Sequence, residues 1–80
     1  MSVRVNLSPV LRRKYRPDCD PNHGLVLEDG SGRTLRQIVQ ELGIPLEEVS
    51  SVLVNHRVVQ PSYVAKNGDL ILLAVAIGGG

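Results

Sequence analysis

The chain has 80 residues, 42% hydrophobic and 21% charged, which allows one small core and excludes the low-hydrophobicity composition of a disordered segment. Nine basic and eight acidic residues leave a net charge of +1, so no overall field directs it to nucleic acid or to an anionic membrane. A single cysteine, Cys19, excludes an internal disulfide and a four-cysteine iron–sulfur site supplied by this chain. No segment approaches the roughly 20 apolar residues of a membrane span, and Met1-Ser2-Val3-Arg4 lacks the apolar stretch of a secretory signal, so the expected location is cytoplasmic. With no Phe and no Trp, the core must come from Val, Leu and Ile, with Tyr15 and Tyr63 at its margins. That composition favours strands.

Val3, Val5 and Leu7 alternate with Ser2, Arg4 and Asn6, the period of two of a strand with one wet face, which predicts a strand over 2–7. Residues 8–24 carry Pro9, Pro17, Pro21 and Gly24 among charges and read as a long loop without a continuous helix. Leu25-Val26-Leu27 is a short strand closed by the turn residues 28–32. Thr34 has the chemistry of a helix N-cap, with Gln37 placed to return the bond. Leu35, Ile38, Val39 and Leu42 then share one face, and Gly43 and Pro45 stop a helix predicted over 35–42. Residues 45–49 fit a single turn. Val52-Leu53-Val54 is a strand, Asn55-His56-Arg57 a tight reversal and Val58-Val59 a short return. Lys66-Asn67-Gly68-Asp69 reads as a turn with positive φ at both central positions. Leu70 to Val75 is almost wholly apolar, as in a strand buried on both sides or one whose second face meets a partner.

This order predicts an α+β fold, a β-grasp in which a mixed sheet packs on one main helix and the first and last strands lie side by side in its middle. The domain is expected over 1–75, followed by a flexible tail, 76–80, ending in Gly78-Gly79-Gly80. A glycine run is either idle slack or a segment able to thread a channel too narrow for side chains.

The second half of the chain, Val52 to Val59, then Lys66 to Leu73 and Gly79-Gly80, resembles the ubiquitin-like sulfur-carrier family typified by MoaD and ThiS. Members of that family share a Val-Asn reversal, a Gly-Asp turn, a final apolar strand and a terminal diglycine. The resemblance implies a carrier that is not itself an enzyme and binds no cofactor or metal. An E1-like adenylating enzyme would use ATP and Mg²⁺ to activate the carboxylate of Gly80, with Gly79 its unhindered neighbour. A sulfur donor would convert the adenylate to a thiocarboxylate. The sulfur would pass to an accepting synthase, of the molybdopterin-synthase large-subunit or thiazole-synthase type, in molybdopterin, thiamine or related biosynthesis. Two departures stand out. Val75 and Ala76 occupy places where the family often has prolines, and Gly78 replaces a small non-glycine residue. The basic, proline-punctuated segment 8–24 also differs from the family's first connection, which often has helical character.

Other residues carry candidate chemistry. Cys19 with Asp18, Asp20, His23 and His56 falls short of a closed four-ligand metal set, and Cys19 is expected to be an exposed loop thiol. The cluster Arg12 to Arg16 suits a solvated loop or a protein contact better than RNA, because almost no aromatic residue is available for stacking. Val59, Val75 and Ile77 are candidate partner-binding residues, Ile77 foremost because it lies beyond the buried part of the last strand. Two other functions fit the same pattern, a ubiquitin-like modifier conjugated through Gly80 and a plain β-grasp interaction domain.

Overall fold

The computed structural model describes residues 2–75. The tail residues singled out above, Ile77, Gly78, Gly79 and Gly80, lie outside them. In chain order the elements are β1 (Val3–Leu7), α1 (Pro9–Tyr15), β2 (Leu25–Leu27), α2 (Leu35–Glu41), a 3₁₀ turn (Leu46–Glu48), β3 (Ser51–Val54), β4 (Arg57–Val59) and β5 (Leu70–Ala74). The strands form one sheet in the order β2-β1-β5-β3-β4. β1 and β5 pair in parallel at its centre, and every other neighbouring pair is antiparallel. This is the expected ubiquitin-like β-grasp.

Alternation divides the sheet. Val3, Val5 and Leu7 of β1, Val52 and Val54 of β3, and Ile71 and Leu73 of β5 point to one side and are buried. Leu35, Ile38 and Val39 of α2 fill that same core, joined by Leu11, Cys19, Leu42, Ile44 and Ala65. α2 forms as its sequence dictates. Thr34 Oγ1 accepts from the Gln37 backbone N–H at 3.2 Å, and Gln37 Oε1 accepts from the Thr34 N–H at 2.9 Å, closing a capping box. Gly43, at φ 77°, then takes the left-handed conformation that ends the helix.

Three expectations are corrected. Residues 9–15 are a helix, not loop, because Pro9 falls in its first turn, where a proline loses no intrahelical hydrogen bond. Leu11 anchors that helix in the core. Cys19 is not an exposed thiol but 3% accessible, turned from the connection that follows α1 into the core. At Lys66 to Asp69 only Gly68 has positive φ, at 84°, and the Asp69 N–H closes the turn on the Lys66 carbonyl at 3.0 Å. The reversal with two left-handed central residues is instead Asn55-His56, at φ 51° and 72°, as a two-residue hairpin loop requires.

Candidate functional site

β5 is the strand from which the sequence runs on into 76–80, and it is held on both edges to its last residue. The Ser8 N–H donates to the Leu73 carbonyl at 2.9 Å, and the Ser50 N–H to the Ala74 carbonyl at 2.9 Å. Val75 is half-buried and packs on the core, as does Val59 of β4. Of the three candidate contact residues, these two are thus partly occupied with packing.

The start of β5 is fixed by Asp69, only 7% exposed. Its carboxylate accepts from Asn55 Nδ2 at 3.1 Å, from the Tyr63 hydroxyl at 2.9 Å and from the Lys66 N–H at 2.9 Å. Desolvation alone would raise its pKa. The three donors, with the Lys66 charge, outweigh that and leave it below its ordinary value of 3.8. The same bond, with some desolvation, raises Tyr63. Asn55 also accepts from the Leu70 N–H through Oδ1 at 3.0 Å, and its own N–H donates to the Leu70 carbonyl at 2.8 Å. The Val-Asn reversal and the Gly-Asp turn are therefore two halves of one clamp on the first residue of β5.

The side of the sheet away from α2 is open. Register places Val26, Arg4 and Leu70 in one row, and Asn6, Leu72, Leu53 and Val58 in the next. Val58 is 73% exposed and Leu72 38%, and Val26 is exposed as well. Asn6, Leu53, His56, Leu70 and Leu72 line a shallow notch of about 120 Å³. None of the five strands contains an Asp or a Glu, so the face is apolar with Arg4 and His56 among its polar groups. Residues Val26, Leu53, Val58, Leu70 and Leu72 were not singled out from the sequence. The unbroken apolar run beginning at Leu70 was the signal for the two on β5, and that strand is not buried on both sides, since Leu72 is exposed.

The chain matches a family model described as Mut7-C ubiquitin over residues 4–75, from the second residue of β1 to the residue after β5. The chain belongs to the Mut7-C ubiquitin family. This family is ubiquitin-like, consistent with the MoaD/ThiS-like resemblance of the second half of the sequence. Comparison with curated proteins gave no match. The matched span of this Mut7-C ubiquitin chain contains the clamp, the open face and α1, and stops before the glycines.

Elsewhere in the Mut7-C ubiquitin domain, Cys19 Sγ lies 3.7 Å from the Asp20 carbonyl, and Asp20 Oδ1 accepts from the N–H groups of Asn22 and His23 at 2.7 and 3.0 Å. Those two bonds hold Asp20 below its ordinary pKa. Among the described residues no three His, Cys, Asp or Glu side chains come together as metal ligands, and no helix is long and apolar enough to cross a membrane.

Proposed function

We propose that this chain is a sulfur carrier whose Gly80 carboxylate is adenylated by an E1-like activating enzyme and converted to a thiocarboxylate. The observation that carries the reading is β5. A ubiquitin-like sheet grips its central strand on both edges as far as Ala74, and the sequence then continues through Ala76 and Ile77 into three glycines.

The chemistry requires little of the carrier itself. A carboxylate oxygen attacks the α-phosphorus of Mg²⁺-bound ATP, the bond to pyrophosphate breaks, and the resulting mixed anhydride has AMP as a good leaving group. Hydrosulfide, or a sulfur donor of equivalent charge, then attacks the acyl carbon and AMP departs with the electron pair, leaving the thiocarboxylate. Both steps belong to the partner, which supplies ATP and Mg²⁺. The carrier contributes a rigid body to grip and a terminal carboxylate without a neighbouring side chain. The open face, with Leu53, Leu70, Leu72 and Val58, offers the apolar area by which an activating enzyme would hold that body. The sulfur is then passed to an accepting synthase in the making of a sulfur-containing cofactor such as molybdopterin or thiamine.

The test is the intact mass of the chain after incubation with the activating enzyme, ATP, Mg²⁺ and a sulfide donor. The expected product is heavier by the replacement of one oxygen with sulfur and reverts on hydrolysis. An unchanged mass with active enzyme would overturn the reading. The same open face also favours a second reading, a plain interaction domain. On that reading deletion of Gly79 and Gly80 leaves partner binding and function intact, whereas the carrier loses all thiocarboxylate.

A further inference from the structure

We propose that the outward face of α1 is a second docking surface, fitted to an acidic rim on the protein that receives the tail. This rests on the carrier reading and adds to it the charge of the partner.

The argument starts from strand direction. β1 and β5 are parallel, with Leu7 opposite Leu73, so the chain leaves both strands at the same end of the sheet. From β1 it turns at Ser8 into α1, and from β5 it runs through Val75 toward the glycines. The Ser8 N–H bond to the Leu73 carbonyl ties the start of α1 to the root of the tail. A helix of seven residues is only about 10 Å long, so α1 starts beside that root and ends within about 10 Å of its start. A partner that takes the tail is thereby brought within reach of α1.

α1 carries most of the basic run Arg12-Arg13-Lys14-Tyr15-Arg16, and the structure divides that run into neutralised and free charges. Lys14 Nζ pairs with Glu48 Oε1 at 2.8 Å. Arg16 makes a two-pronged contact with Asp18, through Nε and Nη2 at 3.1 Å each. Arg12 and Arg13 have no carboxylate partner among the described residues. Arg12 is half-buried, whereas Arg13 is exposed, one turn after Val10, which is 49% exposed. Leu11 and Tyr15, four apart, turn inward, so Val10, Arg13 and Lys14 share the outer face. An apolar side chain beside an unpaired guanidinium matches a protein surface bearing a carboxylate next to an apolar residue.

Carboxylates of a protein are favoured over RNA as the counter-charge. Tyr15 is the aromatic residue of this cluster, it is half-buried, and the Lys14 ammonium sits 5.4 Å from its ring centroid. A ring half-buried and shared with Lys14 is a poor platform for stacking a base. The 3₁₀ turn, tied to α1 by the Lys14–Glu48 pair, adds the exposed Glu47 carboxylate, so charges of both signs lie side by side here and set how a partner must be oriented.

The experiment is steady-state ATP–pyrophosphate exchange by the activating enzyme that adenylates the wild-type chain, with carrier concentration varied at low and at raised salt. Arg13→Glu is compared with Arg36→Glu, a charge-matched change at an exposed position of α2 that has no ion-pair partner among the described residues. The expected result is a KM for the carrier raised about three- to tenfold by Arg13→Glu at low salt, an unchanged kcat, and a gap that closes as salt rises. Arg36→Glu is expected to leave KM within about twofold, and both variants to melt as the wild type does. Equal KM values for Arg13→Glu and wild type, or equal shifts in both variants, overturn the proposal while leaving the carrier reading intact. Salt-sensitive binding of single-stranded polyuridylate that Arg13→Glu abolishes, with KM unmoved, overturns it in favour of nucleic acid. If the wild-type chain gains no sulfur in the mass measurement, the carrier reading falls and this inference with it.

Discussion

Asp69 is the only buried charged residue among those described. It is buried, ionised, and shared by three donors that come from the β3–β4 reversal, from Tyr63 and from the turn that precedes β5. A buried carboxylate held below its ordinary pKa stabilises the native state above the unfolded value near 4, and that contribution is lost as pH falls through the folded value. Stability is therefore expected to fall as pH drops below about 4, and Asp69→Asn to flatten this acid limb. Asp18 and Asp20 are also depressed but exposed, so part of the limb remains in the variant. At neutral pH Asp69→Asn should cost about 1–3 kcal/mol and Asp69→Ala more, because the alanine strands three donors. Urea titrations across pH would check this, and an unchanged acid limb in Asp69→Asn would show that Asp69 is not its source. The Gly68-Asp69 pair was legible in the sequence as a turn, but the clamp was not. Its donors lie at positions 55, 63 and 66, and only the closed sheet brings them together.

At the scale of elements, the two helices show what local pattern can and cannot reveal. α2 announces itself by a cap, a returning glutamine, four apolar residues on one face and a stop at Gly43 and Pro45, all within one short stretch. α1 has none of these except Pro9. Its seven residues give one buried apolar side chain, Leu11, and two half-buried residues, Arg12 and Tyr15, too few to establish an apolar period, and its existence depends on Leu11 reaching the core. Burial of Cys19 has the same tertiary origin. β5 separates packing from recognition by alternation, with Leu73 fully buried and its neighbour Leu72 on the open face. Leu73→Ala is expected to cost about 2–5 kcal/mol wherever stability is read. Leu72→Asp should cost well under half as much and yet abolish activation if the open face holds the enzyme, a separation that melting curves beside an adenylation assay would reveal. Loss of stability in Leu72→Asp equal to that of Leu73→Ala would mean that the face is covered within the chain.

For the whole molecule, the expected placement of the first and last strands at the centre of the sheet was correct, and these two are its longest strands, five residues each. The open face, by contrast, needed the register of all five strands, since no single run of residues says which neighbours share its side. The sheet closes only through pairs distant in sequence, Arg4 with Leu70 and Val5 with Ile71 among them. Domains dominated by such pairings fold in milliseconds to seconds rather than microseconds. A single slow exponential is expected in stopped-flow refolding, and a phase completed within about 100 μs that accounts for the whole signal would contradict it.

The parallel pairing of β1 with β5 also sets the order of events during synthesis. The first strand to be made waits for the last, since β1 and β3 have nothing between them until Leu70 to Ala74 have emerged from the ribosome. A nascent chain stopped short of that point has an incomplete sheet and a core open to proteases. The glycines follow β5 within a few residues. Completion of the fold thus waits for β5, and a half-made chain lacks the open face, which needs the register of all five strands.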